Sequence, residues 1–168
     1  VSTTPARLSA LAARDGTPLF VYALDTLRAR LGLARASLEP GTRLLYAMKA
    51  NPHPALLRAL VPLMDGVDVA SLGELQQARA AGASLVSLAG PGKTDAALAA
   101  GADVVVVESI AELGRVAPGA AVLVRLNPRR RVRAFAVSTT GGPSPFGVDE
   151  EDLPALASAI HTARDARG

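Results

Sequence analysis

The sequence predicts an α/β fold, an incomplete parallel (β/α) barrel of the TIM type, on three observations. Short apolar runs begin at about residues 44, 67, 85, 104 and 121, a uniform step expected when one strand-then-helix unit is reiterated around an axis. Runs such as Val104-Val105-Val106-Val107 are apolar on consecutive positions, which predicts strands buried on both faces. No Gly-x-Gly-x-x-Gly follows any strand, so the dinucleotide signature of a doubly wound sheet is missing. A closed barrel uses eight units and about 250 residues. The 168 residues here supply five clear units, then a long loop and a last helix from Glu150 to about Ala163, so the barrel is expected to be cut short. One domain is the default at this length, here residues 1–168 as the N-terminal portion of such a barrel.

Each element has its own warrant. After the turn signal Asp15-Gly16-Thr17-Pro18, the run Leu19 to Ala23 reads as a short strand, and Asp25 as the N-cap of a helix bearing Leu27, Leu31 and Leu38. Leu44 to Met48 reads as the next strand, followed by a helix from about Pro54 to Leu63. Val67 to Ala70 then leads into a helix from Leu72 to Ala81. Three more strands are expected at Leu85 to Ala89, Val104 to Val107 and Ala121 to Leu126, separated by short helices beginning near Thr94 and Ser109. Ala81-Gly82-Ala83 and Ala100-Gly101-Ala102 share one stop signal, because glycine alone enters the left-handed cap without a Cβ penalty.

Composition narrows the function classes. Aromatics make up only 3% of the chain, so the core is expected to be aliphatic, and the absence of cysteine excludes disulfides, thiolate metal sites and cysteine catalysis within it. The net charge of +3 is concentrated at Arg129, Arg130, Arg131 and Arg133. Without aromatic stacking platforms, that run reads as an arginine-rich surface loop, and no nucleic-acid partner is expected. No apolar run approaches a membrane span, and Val1 to Arg14 lacks the apolar stretch of a secretory signal, so a soluble cytoplasmic protein is expected.

Barrel chemistry sits at the C-terminal ends of strands, which singles out Lys49, Asp68, Ser71, Gly90 to Lys93, Glu108, Arg125 and Asn127. A lysine at the mouth of an apolar strand is unusual, since an unpaired buried ammonium is costly. Such a lysine either snorkels into water or serves as a Schiff-base nucleophile. Lys49-Ala50-Asn51-Pro52-His53-Pro54 adds a proline-stiffened turn, and Asp68 and Glu74 supply acceptors from the adjacent unit. His53 reads as a loop residue and His161 as a helix residue; neither has a metal-ligand partner at suitable spacing, and no metal site is expected.

Tyr46-Ala47-Met48-Lys49-Ala50-Asn51-Pro52 resembles the lysine motif of the fold-type III pyridoxal-phosphate decarboxylases, the group of diaminopimelate, ornithine and arginine decarboxylases. Five further blocks follow in family order. They are Val67 to Leu75, Ala89 to Lys93, Val107-Glu108-Ser109, Val124 to Pro128, and Ser144-Pro145-Phe146-Gly147-Val148, where Pro145 replaces the family's lysine. The resemblance implies the alanine-racemase-like barrel, pyridoxal 5'-phosphate as cofactor, Lys49 as the Schiff-base lysine, and loss of carbon dioxide from a small amino acid. It also implies that Asp68, Glu74 and Arg125 line the cofactor pocket with orienting and electrostatic roles; otherwise they are ordinary ion-paired strand-end residues.

The resemblance further implies a ring-stacking histidine, a glycine-rich phosphate loop, an acidic partner for the pyridine nitrogen and a C-terminal β-domain. All are expected beyond the residues given, so the chain is expected to be inactive alone. Family members act as homodimers, and self-association or pairing with a complementary C-terminal fragment is the expectation here. The loop Gly141 to Gly147 resembles the diaminopimelate branch and its relatives acting on carrier-linked amino acids. A non-catalytic fragment that binds the cofactor or serves in assembly is the alternative from another class, and a racemase or cofactor-carrier relative is a third.

Overall fold

The computed structural model describes residues 4–129 and 144–165, with side chains described as far as 163 in the last helix. Arg130, Arg131, Arg133 and the loop start at Gly141 therefore lie outside the described residues. The chain divides into two compact units, Val1–Leu44 and Leu45–Gly168.

The first unit holds two helices, α1 (Pro5–Asp15) and α2 (Leu24–Ala36). Thr4 caps α1, its Oγ1 accepting the Arg7 N–H at 3.4 Å, and Pro5 occupies the first turn, where a missing N–H costs nothing. The strand expected over Leu19 to Ala23 is not formed. An apolar and aromatic run becomes a strand only where a neighbour takes its backbone hydrogen bonds, and this unit has none among its described residues. The helix after it begins one residue before Asp25, with Ala23 at the N-cap. Asp25 sits in the first turn instead, paired with Arg28 at 3.1 Å.

The second unit is a parallel sheet whose strands alternate with helices. Strands β1 (Leu45–Ala47), β2 (Gly66–Val69), β3 (Val86–Leu88), β4 (Val104–Val107) and β5 (Ala121–Val124) pair in the order β1-β2-β3-β4-β5. Between them run α3 (Pro54–Leu60), α4 (Leu72–Ala80), α5 (Asp95–Leu98) and α6 (Ile110–Leu113). Each strand pairs with the next in sequence, and the order never reverses as it does in a doubly wound sheet. A short parallel pair, β6 (Leu126–Asn127) with β7 (Val148–Asp149), extends the end of β5, and α7 (Leu153–Asp165) packs back against α6.

Register decides which side chains share a face. Val67 pairs with Val86, Leu88 with Val105, and Val107 with Val124, placing one row under the helices, where Val67, Val86, Leu88, Val105 and Val107 are fully buried. Leu57, Leu75, Ala78, Leu98 and Leu113 close over it, and each large aliphatic buried this way contributes about 1.5–3 kcal/mol. The opposite row carries Ala47, Asp68, Ser87, Val104 and Val106, ending at Leu123, which is 57% exposed. The expectation of strands buried on both faces therefore holds for β3, where Ser87 is buried too, but not for β4, whose Val104 and Val106 are half-buried.

The two repeated stops are as expected, Gly82 at φ 89° and Gly101 at φ 77°. At the same end of the sheet, Asp103 Oδ2 accepts the Val86 N–H at 2.6 Å and the Arg79 guanidinium at 2.8 Å. Arg79 also donates to the carbonyls of Ala83, Ser84 and Gly101. The strand-end residues singled out from the sequence lie at the opposite end, where strands run out into the helix N-termini.

Candidate functional site at the strand ends

Lys49 lies in a single 3-10 turn, Met48–Ala50, directly after β1. Its motif is held by its own residues. Asn51 N–H donates to Met48 C=O at 3.1 Å, Tyr46 O–H donates to Asn51 C=O at 3.0 Å, and Asn51 Oδ1 accepts the His53 N–H at 2.9 Å. His53 in turn caps α3, its Nδ1 accepting the Ala55 N–H at 3.2 Å, with Pro54 in the first turn. Met48 is fully buried and anchors the turn, while Lys49 is exposed. Among the described residues no acceptor pairs with the Lys49 ammonium. The only other lysine of the sequence, Lys93, is its opposite: a side chain at 0% exposure with Nζ 3.0 Å from Glu112 Oε2.

The turn bearing Lys49 packs against β2, and Ala47 is the register partner of Asp68. Asp68 is half-buried on the face away from the helices, and its carboxylate has no partner among the described residues. Glu74 is placed differently. Its Oε2 accepts the Ala70 N–H at 2.6 Å while Ser71 Oγ accepts the Glu74 N–H at 3.2 Å, a capping arrangement at the head of α4.

Arg125 follows β5, four strands from Lys49, or about 19 Å measured along the sheet at the usual strand spacing. Its NH1 lies 3.4 Å from Glu108 Oε2, and its guanidinium carbon sits 4.9 Å from the centre of the Phe146 ring, a cation–π contact. Gly147 makes that approach. It adopts φ 91°, and a Cβ there would stand 2.9 Å from the Arg125 carbonyl oxygen. The structure thus joins Lys49 to the neighbourhood of Asp68, sets Glu74 on a helix cap, and places Arg125 in a separate cluster at the β3–β5 ends.

That cluster joins strand-end residues to which the motifs assign no role with one, Glu112, that they do not mark. Glu108 Oε1 accepts the Gly90 N–H at 2.8 Å, Lys93 Nζ donates to the Gly90 carbonyl, and Glu112 Oε2 accepts the Glu108 N–H at 2.9 Å. Lys93 and Glu108 stood in strand-end blocks without a role, and Glu112 was not singled out. Its signal was the spacing Ser109-x-x-Glu112, which repeats Ser71-x-x-Glu74. Asn127 is buried and donates to Asp149 Oδ1 at 2.6 Å, tying β6 to β7. His161 is exposed on α7, and among the described residues no group of three His, Cys, Asp or Glu is placed to hold a metal.

Comparison with known proteins agrees with this arrangement. The family model for the pyridoxal-dependent decarboxylase, pyridoxal binding domain, matches residues 24–164. A diaminopimelate decarboxylase of Deinococcus radiodurans is 39% identical over 158 residues, covering 90% of this chain and 41% of the relative. The L-glutamyl-[BtrI acyl-carrier protein] decarboxylase of Niallia circulans is 31% identical over 170 residues, covering 94% of this chain and 40% of that protein. A crystal structure of diaminopimelate decarboxylase superimposes with a TM-score of 0.79 at 27% identity, over 96% of this chain and 40% of that one. The chain thus spans about two fifths of the length of the curated relatives it matches. No helix among the described residues is long and apolar enough to cross a membrane. With a lysine turn after β1, strand-end carboxylates and a sequentially ordered parallel sheet, the chain belongs to the pyridoxal-dependent decarboxylases and carries residues of their pyridoxal binding domain.

Proposed function

We propose that this chain is the cofactor-lysine part of a pyridoxal-phosphate-dependent amino-acid decarboxylase of the diaminopimelate type, with Lys49 as the covalent residue. One observation carries the reading. Of the two lysines, one is buried and ion-paired, and the other stands exposed without an acceptor among the described residues, on a stitched turn at a strand mouth.

The residues present fit the cofactor by their chemistry. Lys49 offers the amine an aldehyde requires, Asp68 a half-buried carboxylate without a partner among the described residues, and Arg125 a partly exposed cation. Pyridoxal phosphate, when bound, supplies the electron sink that makes loss of carbon dioxide from an amino acid feasible. Lys49 would hold the cofactor through Nζ and release it to a substrate amine. The Tyr46–Asn51 and Asn51–His53 bonds would fix the backbone of the turn that carries Lys49, which lowers the entropy cost of presenting its amine. Asp68 lies on the strand beside the Lys49 turn and would act on charge there. Glu74 would act more remotely, by fixing Ala70 at the head of α4. Arg125 would hold an anionic group of cofactor or substrate.

Substrate choice within the family is a further part of the proposal. The 39% identity to a diaminopimelate decarboxylase favours a free small amino acid. The 31% identity to a carrier-protein-linked glutamate decarboxylase keeps a carrier-linked amino acid as the second reading. A cytoplasmic homodimer is the assembly proposed, as the resemblance to the family implies.

The test is chemical. Pyridoxal phosphate followed by borohydride should leave a pyridoxyl adduct on Lys49 and none on Lys93, read by peptide mass mapping. Label shared between the two lysines, or absent from Lys49, would refute the assignment.

A further inference from the structure

Three ionisable side chains take no part in the chemistry proposed above, yet all are buried: Lys93 at 5%, Glu108 at 4% and Glu112 at 3% exposure. Burying charge is costly, and a buried ion pair is often no more stabilising than apolar residues of the same volume. What such a pair does supply is fixed geometry. Here it is closed on itself. Glu112 Oε2 holds both Lys93 Nζ, at 3.0 Å, and the Glu108 N–H, at 2.9 Å. Lys93 holds the carbonyl of Gly90, whose N–H returns to Glu108 Oε1 at 2.8 Å. Gly90 can face the cluster with both groups because it adopts φ 96°.

One oxygen of Glu108 is thereby spent on the β3 loop, and the other, Oε2, is left facing Arg125 at 3.4 Å. Phe146 closes the guanidinium from another side at 4.9 Å. Among the described residues the remaining guanidinium N–H groups have no acceptor, and the side chain is 37% exposed. Arg125 is therefore clamped by two neighbours while most of its donors stay available.

We propose that Glu108 is a positioning residue that aims Arg125 at the cofactor pocket, with the Lys93–Glu112 pair as the lock that fixes Glu108. This rests on the reading that Arg125 lines that pocket. The full chain and its E108Q, R125M and E108Q/R125M variants would be titrated with pyridoxal phosphate and trapped with borohydride. The pyridoxyl mass on Lys49 gives the apparent affinity, and circular dichroism melts report folding.

E108Q should weaken the apparent affinity roughly fivefold, the loss expected for one charge-assisted hydrogen bond at long range. R125M should lose at least as much, and the double variant should match R125M, because Glu108 acts only through Arg125. A merely structural role would make the two losses multiply, which would overturn the proposal, as would wild-type affinity in E108Q. Should E108Q not melt cooperatively, E108D, which keeps the charge and shortens its reach, takes its place with the same two outcomes. Failure of the wild-type chain to label at Lys49 would overturn the cofactor reading together with this inference, whereas normal wild-type labelling with an unaffected Glu108 variant overturns the inference alone.

Discussion

Replacing Lys93 by methionine keeps the length and volume of the side chain and removes its charge. Glu112 is then left buried, 4% exposed at its side chain, with the Glu108 N–H as its remaining donor among the described residues. Breaking a buried pair from one side costs 3–5 kcal/mol as a rule, and because that donor survives the lower end applies, about 3 kcal/mol. With a urea slope of about 2 kcal/mol/M, the unfolding midpoint should fall by about 1.5 M. E112Q should lose a similar amount, since it leaves the buried ammonium without a countercharge, with only the Gly90 carbonyl and an amide oxygen as acceptors. The double variant K93M/E112Q removes both charges and keeps an amide oxygen for the Glu108 N–H, so it should return to within about 1 kcal/mol of wild type. Urea unfolding followed by circular dichroism reads all four proteins. A K93M midpoint within 0.3 M of wild type, on the order of the 0.5 kcal/mol typical of surface changes, or a double variant as unstable as its parents, would refute the buried-pair reasoning.

Three other outcomes are expected. Gly147→Ala should destabilise by about 2 kcal/mol or more, because it adds a left-handed penalty to a contact 2.9 Å from the Arg125 carbonyl; an unchanged melting temperature would contradict this. Tyr46→Phe should cost about 1 kcal/mol and slow pyridoxyl labelling of Lys49, since it removes the bond from the hydroxyl to Asn51; equal labelling rates would show that this bond does not order the turn. Asp103→Ala should cost about 2 kcal/mol by leaving the Val86 N–H without its 2.6 Å partner and loosening Arg79, without changing the labelling at Lys49, because the clamp sits at the other end of the sheet; a labelling defect would show that the two ends are coupled.

The strands of the second unit were legible because several signals agree there. Runs such as Val104 to Val107 are bounded by Gly101 on one side and by Ser109 on the other, and the structure differs from the expected ends by a residue or two. Leu19 to Ala23 carries the same apolar signal and forms no strand, because composition does not reveal whether a pairing partner exists. Consecutive valines showed burial on the helix side and overstated it on the other, since Val104 and Val106 have no layer of comparable depth above them. Around Lys49 the motif made a tight turn legible, and the structure shows what forms it: Tyr46, Asn51 and His53 each spend a polar group on it. Lys93 was harder to read. The sequence marks it only as one of the strand-end residues, and only the three-dimensional return of Gly90 and Glu112 makes it a core residue.

The sequential strand order also bears on how the molecule is made. Leu45 pairs with Gly66 and Val104 with Ala121, separations of 21 and 17 residues, so each new strand docks on the one synthesised just before it. At a ribosomal rate of about 5–20 residues per second, a complete strand-helix unit emerges roughly every one to four seconds, far longer than helix formation or closure of a short loop requires. The sheet can therefore grow as a zipper from β1, with the Lys49 turn in place before the strands carrying Glu108 and Arg125 leave the ribosome. Slowed translation across residues 45 to 125 should accordingly leave the order of assembly unchanged, whereas a circular permutant beginning at β3 would have to add β1 and β2 to the opposite edge last.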